Sequence, residues 1–245
     1  MLKFILIFVA CIFTLKVDAA PISFGDFNID LSDDIDGGQV ANSIKVFLLL
    51  TILSLAPSIL IVMTSFTRII LVLSMLRQAL GMQQTPPNTV LVSLALFLTL
   101  FSMMPVIEEA NKMAFQPLSK NEIGFEQAMI NGIKPFKVFM LKQTREQDLS
   151  LMLELSGEAL PDKVRDVKLS TLIPAFIISE LITAFKIGFI IFLPFLLVDI
   201  VVASLLMSMG MMMVPPMMMS LPIKILLFVL IDGWNLVVKS LMGSF

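Results

Sequence analysis

Long runs of apolar residues, interrupted by only a few polar positions, dominate the chain beyond about residue 43. The first covers about 43–63, with a helical continuation past Arg68 to about residue 80, and the others cover about 88–107, 169–209 and 216–242. Each run reaches the roughly 20 residues that a helix needs to cross a bilayer. The pattern therefore predicts four helical segments long enough to span a membrane.

The third segment is longer than a single span requires, so we expect a kink or break near Pro194. Small residues also recur along it at a spacing of four, which places them on shared helix faces: Ala175, Ser179 and Thr183 on one, Ala184 and Gly188 on another. Small side chains let two helices approach closely. This segment is therefore expected to pack tightly into a bundle or an oligomer.

A region of more soluble character, about 108–168, separates the second and third segments. It carries mixed charge and amphipathic patterning. Pro135 suits the first position of a helix, because apolar residues follow it at helical spacing. Asn131-Gly132 and Gly157 are expected helix stops. At roughly sixty residues, this region is predicted to form a small helical layer rather than an independent domain.

The first twenty residues resemble a secretory signal peptide. Lys3 supplies the positive charge, residues 4–15 form a short apolar stretch, and Ala19 or Ala20 suits cleavage. A retained first membrane helix is the alternative, but the apolar stretch is too short to span a bilayer. Cys11, the only cysteine, lies in this segment, so the mature chain is expected to contain no disulfide.

Residues 21–43 form an acidic, turn-rich segment, which we interpret as a solvated exported linker. A calcium loop is the alternative, but the glycine and distal glutamate spacing of an EF-hand is missing. Cleavage after the signal peptide leaves this segment outside the membrane. Alternating spans then place 108–168 outside as well, and the loop between the last two segments at the cytoplasmic end.

Composition supports an integral membrane protein. Hydrophobic residues make up 58% of the chain and charged residues 15%, and the mean hydropathy is +0.97. Soluble domains are nearer to half apolar and a quarter charged. The formal net charge of -2 provides no basic surface for nucleic acid. One Trp and no Tyr leave little of the usual aromatic belt at the membrane surface.

Methionine is concentrated between the third and fourth segments, where it occupies eight of the thirteen positions 207–219. Gly210 and Pro215-Pro216 prevent this stretch from forming one regular helix. Methionine is unbranched and adaptable, so an uncharged methionine loop suits a deformable seal. Ordinary core filling is the alternative. Thioethers also favour Cu(I), but such sites usually include His or Cys, and the chain has no histidine.

Charged residues interrupt the apolar sequence at five places: Glu180, Lys186, Asp199, Lys224 and Asp232. A charge at the bilayer centre costs roughly 2.5–3.5 kcal/mol on insertion scales, so each needs a partner or a wet face. Glu180 and Lys186 lie on different faces of one helix, so we expect partners from other segments or subunits. Ion pairs for assembly are favoured over a proton pathway, because the acids are scattered. No nucleophile motif predicts an enzyme.

Several stretches resemble the FliP family, the P subunit of the bacterial flagellar type III export gate. The matching motifs are Pro174–Phe189 (PAFIISELITAFKIGF), Gly210–Pro216 (GMMMVPP), Leu221–Phe228 (LPIKILLF) with Asp232-Gly-Trp234, and Thr64–Ile70 (TSFTRII) with Pro86-Pro87. The resemblance covers about residues 44–243. Injectisome homologues share these motifs, although the length, the signal peptide and the middle region look more flagellar.

The resemblance implies an all-α, membrane-associated fold of kinked helical hairpins that assemble into a helical oligomeric channel. The hairpins would be 44–107 and 169–245, separated by the amphipathic region 108–168. In the family, five P subunits assemble with FliQ and FliR subunits, next to FlhB and FlhA, in the inner membrane at the flagellar basal body. The assembly extends to the periplasmic side and passes unfolded export substrates.

The resemblance also implies roles for individual residues. A methionine gasket closes the family's channel, and it corresponds here to Met211, Met212 and Met213, with Met209 as a neighbour. Gly210, Pro215 and Pro216 would shape the loop. The charged motif residues would make contacts between helices or subunits: Arg68, Glu180, Lys186, Asp199, Lys224 and Asp232. No cofactor, metal or enzymatic activity is implied. The alternative function is a membrane transporter of small solutes or ions such as Cu(I).

Overall fold

The computed structural model describes residues 23–24, 27–28, 63–157, 167–211 and 213–245, and short helical pieces at 46–47, 50–51, 54–55, 58–59 and 61–62. The expected signal peptide, most of the acidic segment, and Met212 lie outside the described residues. The chain divides into two units, 1–56 and 57–245. In the first, strands β1 (Ser23–Phe24) and β2 (Phe27–Asn28) pair antiparallel within the predicted linker.

The second unit consists of helices joined by loops and turns in its described part. Its α-helices are α1 (Phe66–Ala79), α2 (Asn88–Ala110), α3 (Gln116–Ser119), α4 (Phe125–Gln143), α5 (Glu146–Ser156), α6 (Leu169–Ser208), α7 (Pro216–Leu230) and α8 (Gly233–Met242). A π-helical turn, Asn111–Phe115, joins α2 to α3. The predicted all-α class is therefore confirmed, with the short β1–β2 pair as an addition.

The second and third apolar segments form long helices, as predicted. The continuous helical stretch from α2 to α3 and the whole of α6 are each long and apolar enough to cross a membrane. A break near Pro194 is absent, because α6 continues through both Pro174 and Pro194 for 40 residues; a kink there stays a prediction. A proline removes one backbone hydrogen bond, and apolar helices tolerate this when neighbouring groups compensate.

The first and last segments contain breaks that periodicity did not predict. A turn at 63–65 precedes α1, so the expected helical continuation past Arg68 starts afresh at Phe66. The fourth segment bends by 66° between α7 and α8, which together pass the length and composition test for a span. Asp232 takes a left-handed conformation at the bend, with φ of 51°. Asp is among the few residues that adopt this conformation readily.

The middle region forms helices, but some of its glycine and proline residues have different roles from those predicted. The expected stop at Asn131-Gly132 is wrong, since α4 runs through it, and Pro135 lies inside α4 rather than at its start. A Cβ on Gly132 would lie 3.3 Å from the Cβ of Ala114, so this glycine permits a close approach instead of ending a helix. Gly157 does end α5, with φ of 65°.

The core is built around α1, which packs against α6 and α2. Ile69, Val72, Leu73 and Leu76 are almost fully buried there. A second cluster, around Phe176 and Met140, connects α6 to the middle region. Most of the small residues predicted to allow close packing along α6 are buried, namely Ala175, Ser179, Ala184 and Gly188, whereas Thr183 is partly exposed.

Candidate channel loop and its polar contacts

The methionine-rich loop begins where α6 ends. Met209 caps the C-terminus of that helix directly after Ser208, and Gly210 follows in a left-handed conformation with φ of +74°. The N–H groups of Gly210 and Met211 donate to the carbonyl oxygens of Met207 and Leu206, each at 3.0 Å. This pattern is a Schellman motif, in which glycine is the preferred residue because it has no Cβ. The end of α6 is therefore encoded locally by Gly210.

The far side of the loop is set by two prolines. Pro215 has φ of -66° and ψ of 117°, and Pro216 is the first residue of α7. Proline suits this position, because its fixed φ matches the helix and its missing N–H has no partner to lose. The carbonyl oxygen of Pro215 accepts from the N–H of Met218 at 3.1 Å. Residues 209–215 thus connect two helices whose ends are both fixed by local sequence.

The methionine side chains of this loop are exposed. Met213 is 98% exposed and Met209 64%, and Met211 is also exposed. The same holds at the start of α7 for Met217, Met218 and Met219. Core filling within this chain is therefore wrong for these residues. Their apolar side chains are available to contact something outside the subunit.

Arg68 and Glu180 form a buried ion pair between α1 and α6. The guanidinium donates to both carboxylate oxygens of Glu180, with Nε at 2.9 Å from Oε2. It also donates to the carbonyl oxygen of Ser244 at 2.8 Å and to Oε1 of Gln143 at 3.0 Å, and it lies over the ring of Phe245. The two charged side chains are at most 2% exposed. The expectation that Glu180 pairs with another segment is met within this chain.

Asp199 and Lys224 form a second ion pair, between α6 and α7. The Nζ of Lys224 lies 2.6 Å from Oδ2 of Asp199 and also donates to the carbonyl oxygen of Ala79 at 3.1 Å. Ser220 donates through its hydroxyl to the other carboxylate oxygen at 2.6 Å. Lys224 is 3% exposed and Ser220 fully buried. These contacts join α6, α7 and the end of α1.

The remaining two charges have no partner of this kind in the described residues. Lys186 is exposed and makes no hydrogen bond there, although its charge acts on the nearby carboxylate of Asp148. Asp232 is also exposed, and it accepts a hydrogen bond from Nδ2 of Asn235 at 3.0 Å. The structure therefore brings four of the six predicted charged residues together as two pairs and leaves these two on the surface.

Sequence reasoning missed a third buried polar group, at Asp148 in α5. Both carboxylate oxygens of Asp148 accept from Arg145, at 2.8 Å each, and Oδ2 also accepts from the hydroxyl of Ser179 at 2.6 Å. The hydrogen bonds from Arg145 hold the pKa of Asp148 below its ordinary 3.8; burial opposes this shift, and Ser179 and the nearby positive charges support it. The cluster fixes α5 onto α6. Its one sequence signal is the i,i+3 spacing of Arg145 and Asp148.

Metal-ligating residues do not cluster in the described part of the chain: it contains no group of three or more His, Cys, Asp or Glu side chains that could hold an ion. The carboxylates of Asp148, Glu180 and Asp199 are instead engaged with positive charges. The described polar contacts of these residues therefore join helices.

Comparison with known proteins gives a consistent result. A sequence model of the FliP family matches residues 49–241. The Bacillus subtilis (strain 168) flagellar biosynthetic protein FliP is 54% identical over 217 residues, which cover 89% of this chain and 98% of that protein. Proteins of the same name from Aquifex aeolicus and Borreliella burgdorferi are 50% and 45% identical; the matches cover 85% and 87% of this chain, and 88% and 85% of those proteins.

Proposed function

The chain belongs to the FliP family, and from this premise we propose that it is a core subunit of the flagellar type III export gate. The relatives are flagellar biosynthetic proteins, and the alignments cover most of this chain and most of each relative. We therefore infer that the chain shares a role in the flagellar export apparatus. In this role the chain forms part of a channel that passes unfolded flagellar proteins across the inner membrane. No chemical step is assigned to it.

The exposed methionine loop is the observation that carries this proposal. The loop presents Met209, Met211 and Met213 outward between two helices, with Met212 beside them in the sequence. A ring of such loops forms an apolar constriction that excludes water when it is empty. Each thioether side chain has three rotatable bonds, so the ring can reshape around polypeptides of varied side-chain size. Gly210, Pro215 and Pro216 set the shape of the loop.

Assembly with other subunits follows from the surface of α6. Large apolar side chains there remain exposed in the single chain, among them Phe189, Ile190, Leu197 and Ile200. Exposed apolar patches of this extent mark interaction or membrane surfaces. We assign them to contacts with further copies, five by family resemblance, and with FliQ and FliR, with FlhB and FlhA nearby. Lys186 lies exposed on the same helix and is assigned to such a contact.

The proposed location is the inner membrane at the flagellar basal body, with the assembly extending to the periplasmic side. The apolar helices support membrane association by length and composition. In this arrangement 44–107 and 169–245 act as the two hairpins and 108–168 as the layer between them. The buried pair Arg68–Glu180 and the partly buried pair Asp199–Lys224 then serve to hold each subunit in shape.

Cysteine cross-linking at Met212 tests the gasket. The variant combines Met212→Cys with Cys11→Ala, so that the chain carries a single cysteine. Gentle oxidation of membranes should yield disulfide-linked dimers, because residues of a pore ring lie close to their copies. A matched variant, Met129→Cys, places the cysteine on the exposed surface of α4 and should yield few dimers. Only monomer at position 212, in a protein shown to be assembled, would contradict the gasket.

A further inference from the structure

The ion pair of Asp199 and Lys224 belongs to a closed set of contacts that we call the polar clasp: Asp199, Ser220, Lys224 and the carbonyl oxygen of Ala79. Both carboxylate oxygens of Asp199 accept a hydrogen bond, one from Ser220 and one from Lys224, at 2.6 Å each. Lys224 makes its second contact, at 3.1 Å, with the last residue of α1. The clasp therefore links three helices through one carboxylate and one ammonium group.

We propose that the polar clasp positions the methionine loop by holding α6 and α7 against the end of α1. This inference rests on the proposed function of the loop as the gate. Asp199 lies about two and a half turns before the end of α6, and Ser220 lies about one turn after the start of α7. The loop thus emerges from two helices that are tied together close to its base.

The anchor of the clasp is the buried core. Ala79 is fully buried at the end of α1, the helix around which the core is built. The carbonyl groups at a helix C-terminus carry partial negative charge, which favours an ammonium group such as that of Lys224. The loop itself is exposed and its only described backbone hydrogen bonds are local. Residues 209–215 can therefore deform while the ends of the loop stay in place.

Charge determines what happens when the clasp is cut. Removing one partner of a buried ion pair leaves an uncompensated charge, whereas removing both leaves none. Asp199→Asn leaves the buried Lys224 ammonium without its counter-charge, and Lys224→Met leaves the Asp199 carboxylate, which is 25% exposed, with only the hydrogen bond from Ser220. The double variant leaves neither charge without its partner, so its effect on labelling and leak should be smaller than the sum of the two single effects. This pattern distinguishes a direct pair from two residues that act separately.

Thiol labelling at Val202 measures whether the helices stay together. Val202 follows Asp199 by three residues, on the same face of α6, and is 9% exposed. In the complete gate, with Cys11 replaced by alanine, the Val202→Cys variant should react slowly with a maleimide. Adding Lys224→Met or Asp199→Asn should raise the labelling rate about tenfold or more, as expected for local opening. Lys239→Met, an exposed lysine on α8, should leave the rate unchanged.

Ion leak, read in the same membranes, separates positioning of the loop from general support of the fold. At equal amounts of assembled protein, the Lys224→Met variant should depolarise the membrane, and Lys224→Arg should restore both the seal and slow labelling. No rise in labelling would overturn the clasp, and a rise without any leak would overturn its role at the loop.

The Met211→Ala/Met213→Ala variant tests the gate itself: if it does not leak, the proposed function fails, independently of the labelling result.

Discussion

At the scale of single residues, every buried charge in the described part of the chain makes an ion pair, and some make further polar contacts. Arg68 has the most such contacts: its guanidinium binds both oxygens of Glu180, the amide of Gln143 and the backbone of Ser244. Arginine suits this site because its planar group offers five donors in a fixed fork. A lysine could satisfy only part of this set.

Arg68→Ala should lower the free energy of unfolding by about 3–5 kcal/mol, because Glu180 would be left buried with an uncompensated charge. Denaturant unfolding of the detergent-solubilised protein measures the change. Arg77→Ala is the matched control: Arg77 binds the Pro86 carbonyl and the Asn88 side chain at a more exposed site, and its loss should cost about 1 kcal/mol or less. Equal effects of the two substitutions would contradict the importance of the buried pair.

The Asp148 cluster should make stability depend on acidic pH. Hydrogen bonds from Arg145 keep the pKa of Asp148 below its ordinary 3.8 in the folded state. The unfolded chain therefore binds this proton at a higher pH than the folded chain does. The stabilisation from these hydrogen bonds is fully present above pH 3.8, the ordinary pKa, and is lost as the pH falls through the lower pKa of the folded state. Unfolding titrations of the wild type and of Asp148→Asn measure this. The variant should lack that part of the slope, and parallel curves would contradict the assignment.

At the scale of elements, apolar length predicted the helices well and failed at their interruptions. The bounds of α2 and α6 follow from composition alone, because only long uncharged runs can form such helices. The helix stop predicted at Gly132 was wrong, because the role of this glycine depends on its contact with Ala114, a residue of another element. The loop of Gly210 and Pro215-Pro216 was located correctly, because glycine and proline act on their own backbone. The pair of Arg68 and Glu180 was not foreseen, because residues 112 positions apart give no local signal.

The contact between α1 and α6 depends on Gly188. A Cβ at this position would lie 2.3 Å from Sδ and 3.2 Å from Cβ of Met75. Gly188→Ala should therefore force the helices apart and cost about 1–3 kcal/mol. Gly124→Ala, whose Cβ would meet nothing within 4 Å, is the control. Thermal unfolding measures both, and adding Met75→Ala to Gly188→Ala should relieve part of the strain, so that additive losses would count against this account.

At the scale of the whole molecule, the described surface is too apolar to remain alone in water. Phe189 is 62% exposed and Leu197 64%, both on α6. The single subunit is thus an incomplete unit, stable only when lipid, detergent or other subunits cover it. Within the proposed gate, this apolar surface is an assembly surface rather than a defect of packing.

Phe189→Glu should reduce assembly without unfolding the subunit, because the side chain points away from the core. The measured quantity is the fraction of membrane-inserted chain that migrates in particles larger than one subunit after mild detergent extraction. We expect a loss of at least about tenfold, since an unpaired charge at an interface costs several kcal/mol and each 1.4 kcal/mol or so is a factor of ten. Leu155→Glu, on an exposed position of α5, should assemble normally. If both variants assemble alike, α6 does not form the interface.

The contacts of Arg68 also impose an order in time. Glu180 follows Arg68 by 112 residues and Ser244 follows it by 176. At a synthesis rate of roughly 5–20 residues per second, Glu180 is added about 6–20 s after Arg68. Until then its charge resists transfer into an apolar core, so we expect α1 to stay at a wet boundary while the later helices are made. A chain cut before Glu180 should therefore leave α1 more accessible to solvent than the full chain does.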